Sequence, residues 1–273
     1  MSEKIRIETV EKNGFKMNFF RFGHGDKTLV ILPGLSIESV MNYADAVAAA
    51  YGLFADRFTV YVFDRSEEPP AEYTVDDMAR DTAAAIRALG LDEIYLFGAS
   101  QGGMIAMRIA ITEPALVKKL VLGSTAARMT KARYLPVKKW IGMAKAGKAE
   151  ELYLAFAEAI YPRDIFAQAK DSLCESAKAV TQKELDRFVI LAESMKDFDA
   201  AEELKNITCP ILAVGSDDDR VLGTDAAAEI AKQFDGRQDF ELYTYSGCGH
   251  AAYDTAPDYK ERLLRFLAPD SPR

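Results

Sequence analysis

The sequence predicts an α/β protein: a mostly parallel, doubly wound sheet of about eight strands, with an all-helical segment inserted late in the chain. Short apolar runs rich in β-branched and aromatic residues recur at residues 28–32, 58–63, 94–97, 117–122, 210–214 and 239–245, each the length of a buried strand. Helical stretches separate the early ones, as crossover connections between parallel strands require. Between residues 126 and 200 no such run occurs, and the composition turns to lysine, glutamate and alanine with bulky side chains at helical spacing.

Each element has a local reason. Residues 5–10 alternate apolar and charged side chains, as an edge strand does, Asn13-Gly14 is a hairpin turn, and residues 15–22 return as a second strand. His24 lies between two glycines and reads as an exposed turn residue. The run at 28–32 ends in Pro33-Gly34-Leu35-Ser36, and an alanine-rich helix is expected over residues 39–54. The strand at 58–63 ends at Asp64-Arg65, before the polar loop Ser66-Glu67-Glu68-Pro69-Pro70. Thr74-Val75-Asp76-Asp77 is a capping box for a helix that stops at Gly90. After the insertion, Thr224 or Asp225 caps a helix over residues 226–234, and a final helix spans about 257–267. The expected organisation is a core of residues 1–125 and 201–273, with the insertion at 126–200.

Composition limits the function classes. Over 273 residues, 49% hydrophobic and 28% charged side chains suit a soluble globular protein with a large core. A net charge of −8 disfavours nucleic acid and anionic membrane surfaces as partners. Cys174, Cys209 and Cys248 are too scattered for a disulfide framework and suit a reducing compartment. No Cys-x-x-Cys motif is present, and the histidine content is too low for a zinc site, so no metal is expected. No G-x-G-x-x-G follows the first parallel strand, so no dinucleotide and no other cofactor is expected. The N-terminal residues lack the apolar region of a secretory signal and no run has the length of a membrane span, which together predict a cytoplasmic protein. Oligomeric state is not readable from the sequence.

The chemistry is concentrated in loops that follow predicted strands. Gly98-Ala99-Ser100-Gln101-Gly102 matches G-x-S-x-G between a strand and a helix. A serine on so tight a turn has strained backbone angles, and the residues two before and two after it approach each other, so both must be small. The turn lifts the Ser100 hydroxyl clear of the sheet at a helix N-terminus, where the Gln101 amide can hold a developing oxyanion. Gly215-Ser216-Asp217-Asp218-Asp219-Arg220 follows the strand at 210–214, and Gly249-His250 follows the strand at 239–245. In an open α/β sheet such loops share the carboxyl edge, where ligands bind. A serine, a carboxylate and a histidine in that order supply a nucleophile, its base and the group that orients the base. His250 is the histidine placed for the role.

These residues resemble the α/β-hydrolase superfamily over nearly the whole chain. The resemblance implies Ser100 as nucleophile, His250 as general base, and a helical insertion serving as a lid. It also implies an acid three or four residues beyond Gly215 and before a basic residue, which selects Asp219, with Asp218 as the alternative. The loop Pro33-Gly34-Leu35 sits where such enzymes place a second oxyanion amide, here that of Leu35. Pro33 stands where many members have histidine, and the frequent glycine-rich loop after Asp64 is missing. Gly34, Arg65, Tyr134, Trp140 and Tyr253 are candidate pocket residues. The expected activity is cleavage of an ester or related acyl bond in a small-to-medium substrate, with thioesterase, lactonase, carbon–carbon bond hydrolase and cofactor-free perhydrolase chemistry open on the same triad. The competing expectation is a ligand-binding or sensor protein on the same fold with little turnover.

Overall fold

The computed structural model describes residues 4–269. A single eight-stranded sheet runs in the order β1-β2-β4-β3-β5-β6-β7-β8. Its strands are β1 (Ile7–Lys12), β2 (Phe15–Phe22), β3 (Lys27–Leu32), β4 (Phe58–Ser66), β5 (Ile94–Ala99), β6 (Val117–Gly123), β7 (Ile211–Ser216) and β8 (Phe240–Tyr245). β1 pairs antiparallel with β2, and β2 antiparallel with β4. From β4 to β8 every pairing is parallel. β5 and β7 are buried along their entire length, which is why they read as unbroken apolar runs rather than as alternation.

Both faces of the sheet are covered. Helices α2 (Val75–Ala88) and α3 (Gln101–Thr112) pack on one face through Met78, Ile86, Met104 and Met107. The other face holds Tyr51 and Phe54, which follow α1 (Ala44–Ala50), and also α9 (Tyr259–Leu267), through Tyr259 and Leu263. The chain leaves β3 toward β4 on one side and later returns to β5 on the other. The carboxyl ends of β3 and β5 therefore flank the point where strand order reverses, and a crevice opens there.

Four helices, α4 (Lys131–Lys145), α5 (Ala149–Ile160), α6 (Arg163–Ala177) and α7 (Gln182–Glu193), lie between β6 and β7. The chain enters and leaves this insertion side by side, with Met129 N–H on Phe198 O at 2.8 Å and Ala200 N–H on Ala127 O at 2.8 Å. Several polar ties fasten it to the rest of the chain. Buried Arg133 of α4 donates to Leu222 O at 2.6 Å, Glu229 at 2.6 Å and Asp225 at 3.0 Å. Arg187 of α7 pairs with Asp64 of β4 at 2.9 Å. The Gln101 side chain donates to Leu191 O of α7 at 2.6 Å.

Several element boundaries differ from the sequence expectation, each for a tertiary reason. β1 starts at Ile7, because the Ile5 amide is drawn to the Asp45 carboxylate at 2.8 Å. The helix expected over residues 39–54 divides into a 3₁₀ turn (Val40–Tyr43), α1 and a second 3₁₀ turn (Gly52–Phe54), and Ser39 Oγ caps the first turn at Met41. β4 continues through Asp64 and Arg65 to Ser66, which pairs with Met17 of β2. Asp225 stands before α8 (Ala226–Lys232) but makes no side-chain cap, since its carboxylate is taken by Arg133. The Thr74–Asp77 capping box forms in full at the start of α2. The first three residues used for the leader expectation lie outside the described residues, and no helix among the described ones is long and apolar enough to cross a membrane.

The turn between β5 and α3 fixes the spacing of the sheet's carboxyl edge. A Cβ on Gly98 would stand 2.3 Å from Gly102 O, and one on Gly102 would stand 2.0 Å from Leu32 O. Both obstacles are backbone and neither can yield. Gly102→Ala is expected to lower unfolding free energy by about 3 kcal/mol or more, or to abolish soluble expression. Urea unfolding followed by the fluorescence of Trp140, the one tryptophan, measures it, and a near-neutral result would show that the turn can open.

Candidate active site

Ser100 occupies the turn with φ 52° and ψ −119°, a conformation that a residue with a Cβ adopts only under constraint. The constraint is visible. Ser100 N–H donates to Gly123 O at 2.8 Å, and Ser100 O accepts from Thr125 Oγ1 at 2.7 Å and from Gly103 N–H at 2.9 Å. The loop after β3 presses on the same side chain, where a Cβ on Gly34 would lie 3.1 Å from Ser100 Cβ.

His250 follows β8 and is buried. Its Nε2 lies 2.9 Å from Ser100 Oγ, and its Nδ1 lies 2.8 Å from Asp219 Oδ2. A carboxylate can only accept, so Nδ1 carries the proton and Nε2 is left to accept from the serine hydroxyl. Burial by itself would raise the Asp219 carboxyl. The charge and hydrogen bond of His250, with the amides of Leu222 and Val221, outweigh it and hold the group below the ordinary carboxylate range.

The three consecutive aspartates divide the work. Asp217 accepts from Ser246 Oγ at 2.7 Å and Gly247 N–H at 3.1 Å. Asp218, the alternative acid, accepts from Gly249 N–H at 2.7 Å and Ser216 Oγ at 2.6 Å. Both therefore pin the loop that carries His250, and Asp219 alone of the three reaches the imidazole. Gly249 is required within that loop, since its φ is 66° and a Cβ there would meet Ile160 O at 2.8 Å.

Two amides remain open beside Ser100. Among the described residues, neither Leu35 N–H nor Gln101 N–H has a hydrogen-bond acceptor. The Leu35 loop is held from behind by Arg65, which donates to Pro33 O, to Gly34 O at 3.4 Å and to Gln101 Oε1 at 3.2 Å. In a trans peptide the carbonyl and the next N–H point in opposite directions, so gripping Gly34 O aims Leu35 N–H away from Arg65. Arg65 is a candidate pocket residue by sequence, and the structure places it behind the loop instead. It is 3% exposed, is absent from the lining of the spaces over Ser100, and leaves its Nε unpartnered. Burial lowers its guanidinium to about 10, with Asp64 opposing that shift, so it stays charged at neutral pH.

The space over Ser100 has two parts. An inner pocket of about 20 Å³ is lined by Gly34, Leu35, Ser100, His250 and Tyr253 from the sheet side, and by Trp140, Phe156, Met195 and other apolar residues from the insertion side. An outer chamber of about 290 Å³ shares Gly34, Leu35, Phe156, Ile160 and Tyr253, and continues past Ile37, Glu38, Tyr43, Tyr153, Tyr161 and Leu173. Of the candidate pocket residues, Gly34, Trp140 and Tyr253 line the inner space. Tyr134 does not; its half-buried ring packs against the main hydrophobic core. Glu38 and the Gln101 side chain gave no sequence signal, since Tyr153, Arg65 and Leu191, which hold them, lie on distant segments. Among the described residues no group of three or more His, Cys, Asp or Glu is placed to hold a metal ion.

Comparison with known proteins agrees with this architecture. Residues 27–182 match the family model for the alpha/beta hydrolase fold, and the chain belongs to that family as an α/β-fold hydrolase. RutD of Pantoea ananatis, named as a carbamate hydrolase, is 25% identical over 79% of this chain and 80% of its own length. N-formylmaleamate deformylase of Pseudomonas putida is 30% identical over 45% of this chain and 46% of its own. The 2-hydroxy-6-oxononadienedioate/2-hydroxy-6-oxononatrienedioate hydrolase 1 of Dechloromonas aromatica is 26% identical over 97% of this chain and 95% of its own. Among solved structures, MGS-M2, an alpha/beta hydrolase enzyme from a Medee basin deep-sea metagenome library, superposes with a TM-score of 0.85 at 21% identity, covering 97% of this chain and 99% of that one.

The lowered Asp219 pKa has a signed consequence. A carboxyl depressed on folding contributes stability above its unfolded value, near pH 4, and that contribution is lost as pH falls through the folded value. Wild type is therefore expected to be more stable than Asp219→Asn at pH 7, with the gap closing below about pH 4. Urea unfolding of both proteins from pH 7 to 3 measures it, and a gap independent of pH would contradict the assignment.

Proposed function

We propose that this α/β-fold hydrolase is a serine enzyme that forms an acyl-enzyme on Ser100, taking a small acyl group into the inner pocket and the remainder of the substrate into the outer chamber. The observation that carries this reading is the hydrogen-bonded chain from Asp219 through His250 to a strained serine beside two open amides. Ser100 Oγ attacks the carbonyl carbon while His250 Nε2 takes its proton. The carbonyl oxygen becomes an anion held by Leu35 N–H and Gln101 N–H. As the intermediate collapses, the bond to the leaving group breaks and His250 returns the proton to that group. Water then attacks the acyl-enzyme with His250 again as base, releasing the acid and free Ser100. The helical insertion acts as a lid whose apolar residues exclude bulk water.

The small inner space favours a short acyl group. At about 20 Å³ against about 290 Å³ for the outer chamber, it suits a formyl, carbamoyl or acetyl group better than a long chain. The names of the Pantoea and Pseudomonas relatives point the same way, since carbamate and N-formyl substrates carry one-carbon acyl groups. A dioate, as in the name of the Dechloromonas relative, fits less well, because among the described residues no Arg or Lys lines either space. The reading places the protein in the cytoplasm, with a small-molecule acyl substrate as its partner, and its three free cysteines support a reducing compartment.

A series of chromogenic esters of one alcohol, with acyl groups from formyl to octanoyl, tests the reading. The value of kcat/KM is expected to peak at one or two carbons, and a rise toward octanoyl would contradict it. Ser100→Ala is expected to lose about 1,000-fold or more, and Asp219→Asn a similar amount. Arg65→Met, which frees the Leu35 loop, is expected to lower kcat by about 10- to 100-fold with KM little changed. Unaltered kcat in that variant would show that the loop holds itself.

A further inference from the structure

The outer chamber has a wall the proposed chemistry does not use. Glu38 follows the Leu35 loop and lines the chamber with an otherwise largely apolar and aromatic surface around it. Its Oε2 accepts from Tyr43 O–H at 2.5 Å and from Tyr153 O–H of α5, so it is fixed between the sheet side and the insertion. Ser36 Oγ donates to Glu38 O at 2.6 Å and steadies the backbone. Burial, with the Glu38 bond, pushes the Tyr43 phenol up to about 12, so that it stays a donor. Glu38 Oε1 has no partner among the described residues, and no cation lines either space to neutralise the carboxylate. Buried Arg65 is engaged on the Leu35 loop, and partly buried Arg187 on Asp64.

A fixed carboxylate with one free oxygen, in a chamber walled by tyrosine and phenylalanine rings, is a receptor for a cation. The free oxygen accepts a charge-assisted hydrogen bond, and the rings of Tyr43, Tyr153 and Tyr161 favour a positive group over their faces. A carboxylate in the same place would meet like charge and lose its water. We propose that the outer chamber is a subsite for the remote end of the substrate, and that Glu38 selects a protonated amine or other hydrogen-bond-donating cation there and rejects a carboxylate. This rests on the reading above that the scissile carbonyl sits at Ser100.

The test uses acetate esters of matched alcohols whose far ends carry an ammonium, a hydroxyl or a carboxylate. Wild type is expected to favour the ammonium ester over the carboxylate ester by at least about tenfold in kcat/KM, mostly through KM. Glu38→Gln, nearly isosteric, is expected to remove most of that preference, the readout being the ratio of kcat/KM between the two charged esters within each protein. Equal turnover of the charged esters, preference for the carboxylate, or an unchanged ratio in Glu38→Gln would overturn the proposal. Calorimetric binding of the matching non-hydrolysable amides to Ser100→Ala separates the two readings. Selective binding of the ammonium amide without any esterase activity in wild type would uphold the subsite and sink the hydrolase mechanism. Turnover of the hydroxyl ester without charge preference would do the reverse.

Discussion

The close approach of three backbones at the centre of the sheet is the constraint on which the rest depends. Gly102, in the first turn of α3, lies so near Leu32 O and Pro33 O that no side chain fits between them. Gly98 meets Gly102 in the same way. This crowding brings the end of β3 against the start of α3, forces Ser100 into a positive-φ conformation, and leaves the unbonded amides of Leu35, on the loop after β3, and Gln101, at the start of α3, near that serine. Strain of this kind costs roughly 1–3 kcal/mol per residue and persists only where the surroundings over-determine it. Here the surroundings are Gly123 O, Thr125 Oγ1 and a sheet buried on both faces.

Around that point the polar residues are arranged to hold, and only a few to react. Arg65 steadies the Leu35 loop, and the Gln101 side chain links the same arginine to α7. Asp217 and Asp218 fix the His250 loop by its amides. Arg187 and Arg133 fasten the insertion to the sheet. Each supporting group spends its hydrogen bonds on backbone or on another fixed side chain, which leaves His250 Nε2, the Ser100 hydroxyl and two amides available for the mechanism proposed above.

Much of this was legible in the chain, for physical reasons. The buried strands announce themselves as β-branched runs, and the serine turn is local, so five residues state its steric requirement. The position of His250 after the last strand follows from parallel topology. The choice of acid was less accessible, because Asp217, Asp218 and Asp219 are alike in sequence and differ in which way one loop turns. Arg65 was misread, since its burial depends on β4 running on to Ser66 against β2, a pairing that no local pattern shows. Tyr134 and Trp140 look equivalent in the insertion, and helix packing alone sends one into the pocket and the other away from it. Glu38 could be found only once α5 placed Tyr153 above it.

The most direct test of the account is the intact mass of the protein after incubation with a fluorophosphonate, which reports a serine made nucleophilic by its base and by an oxyanion site. A single adduct on wild type, absent from Ser100→Ala and slowed by more than about 100-fold in His250→Ala, is the result the account predicts. A folded wild type that takes no adduct, or one that reacts equally well without His250, would contradict it.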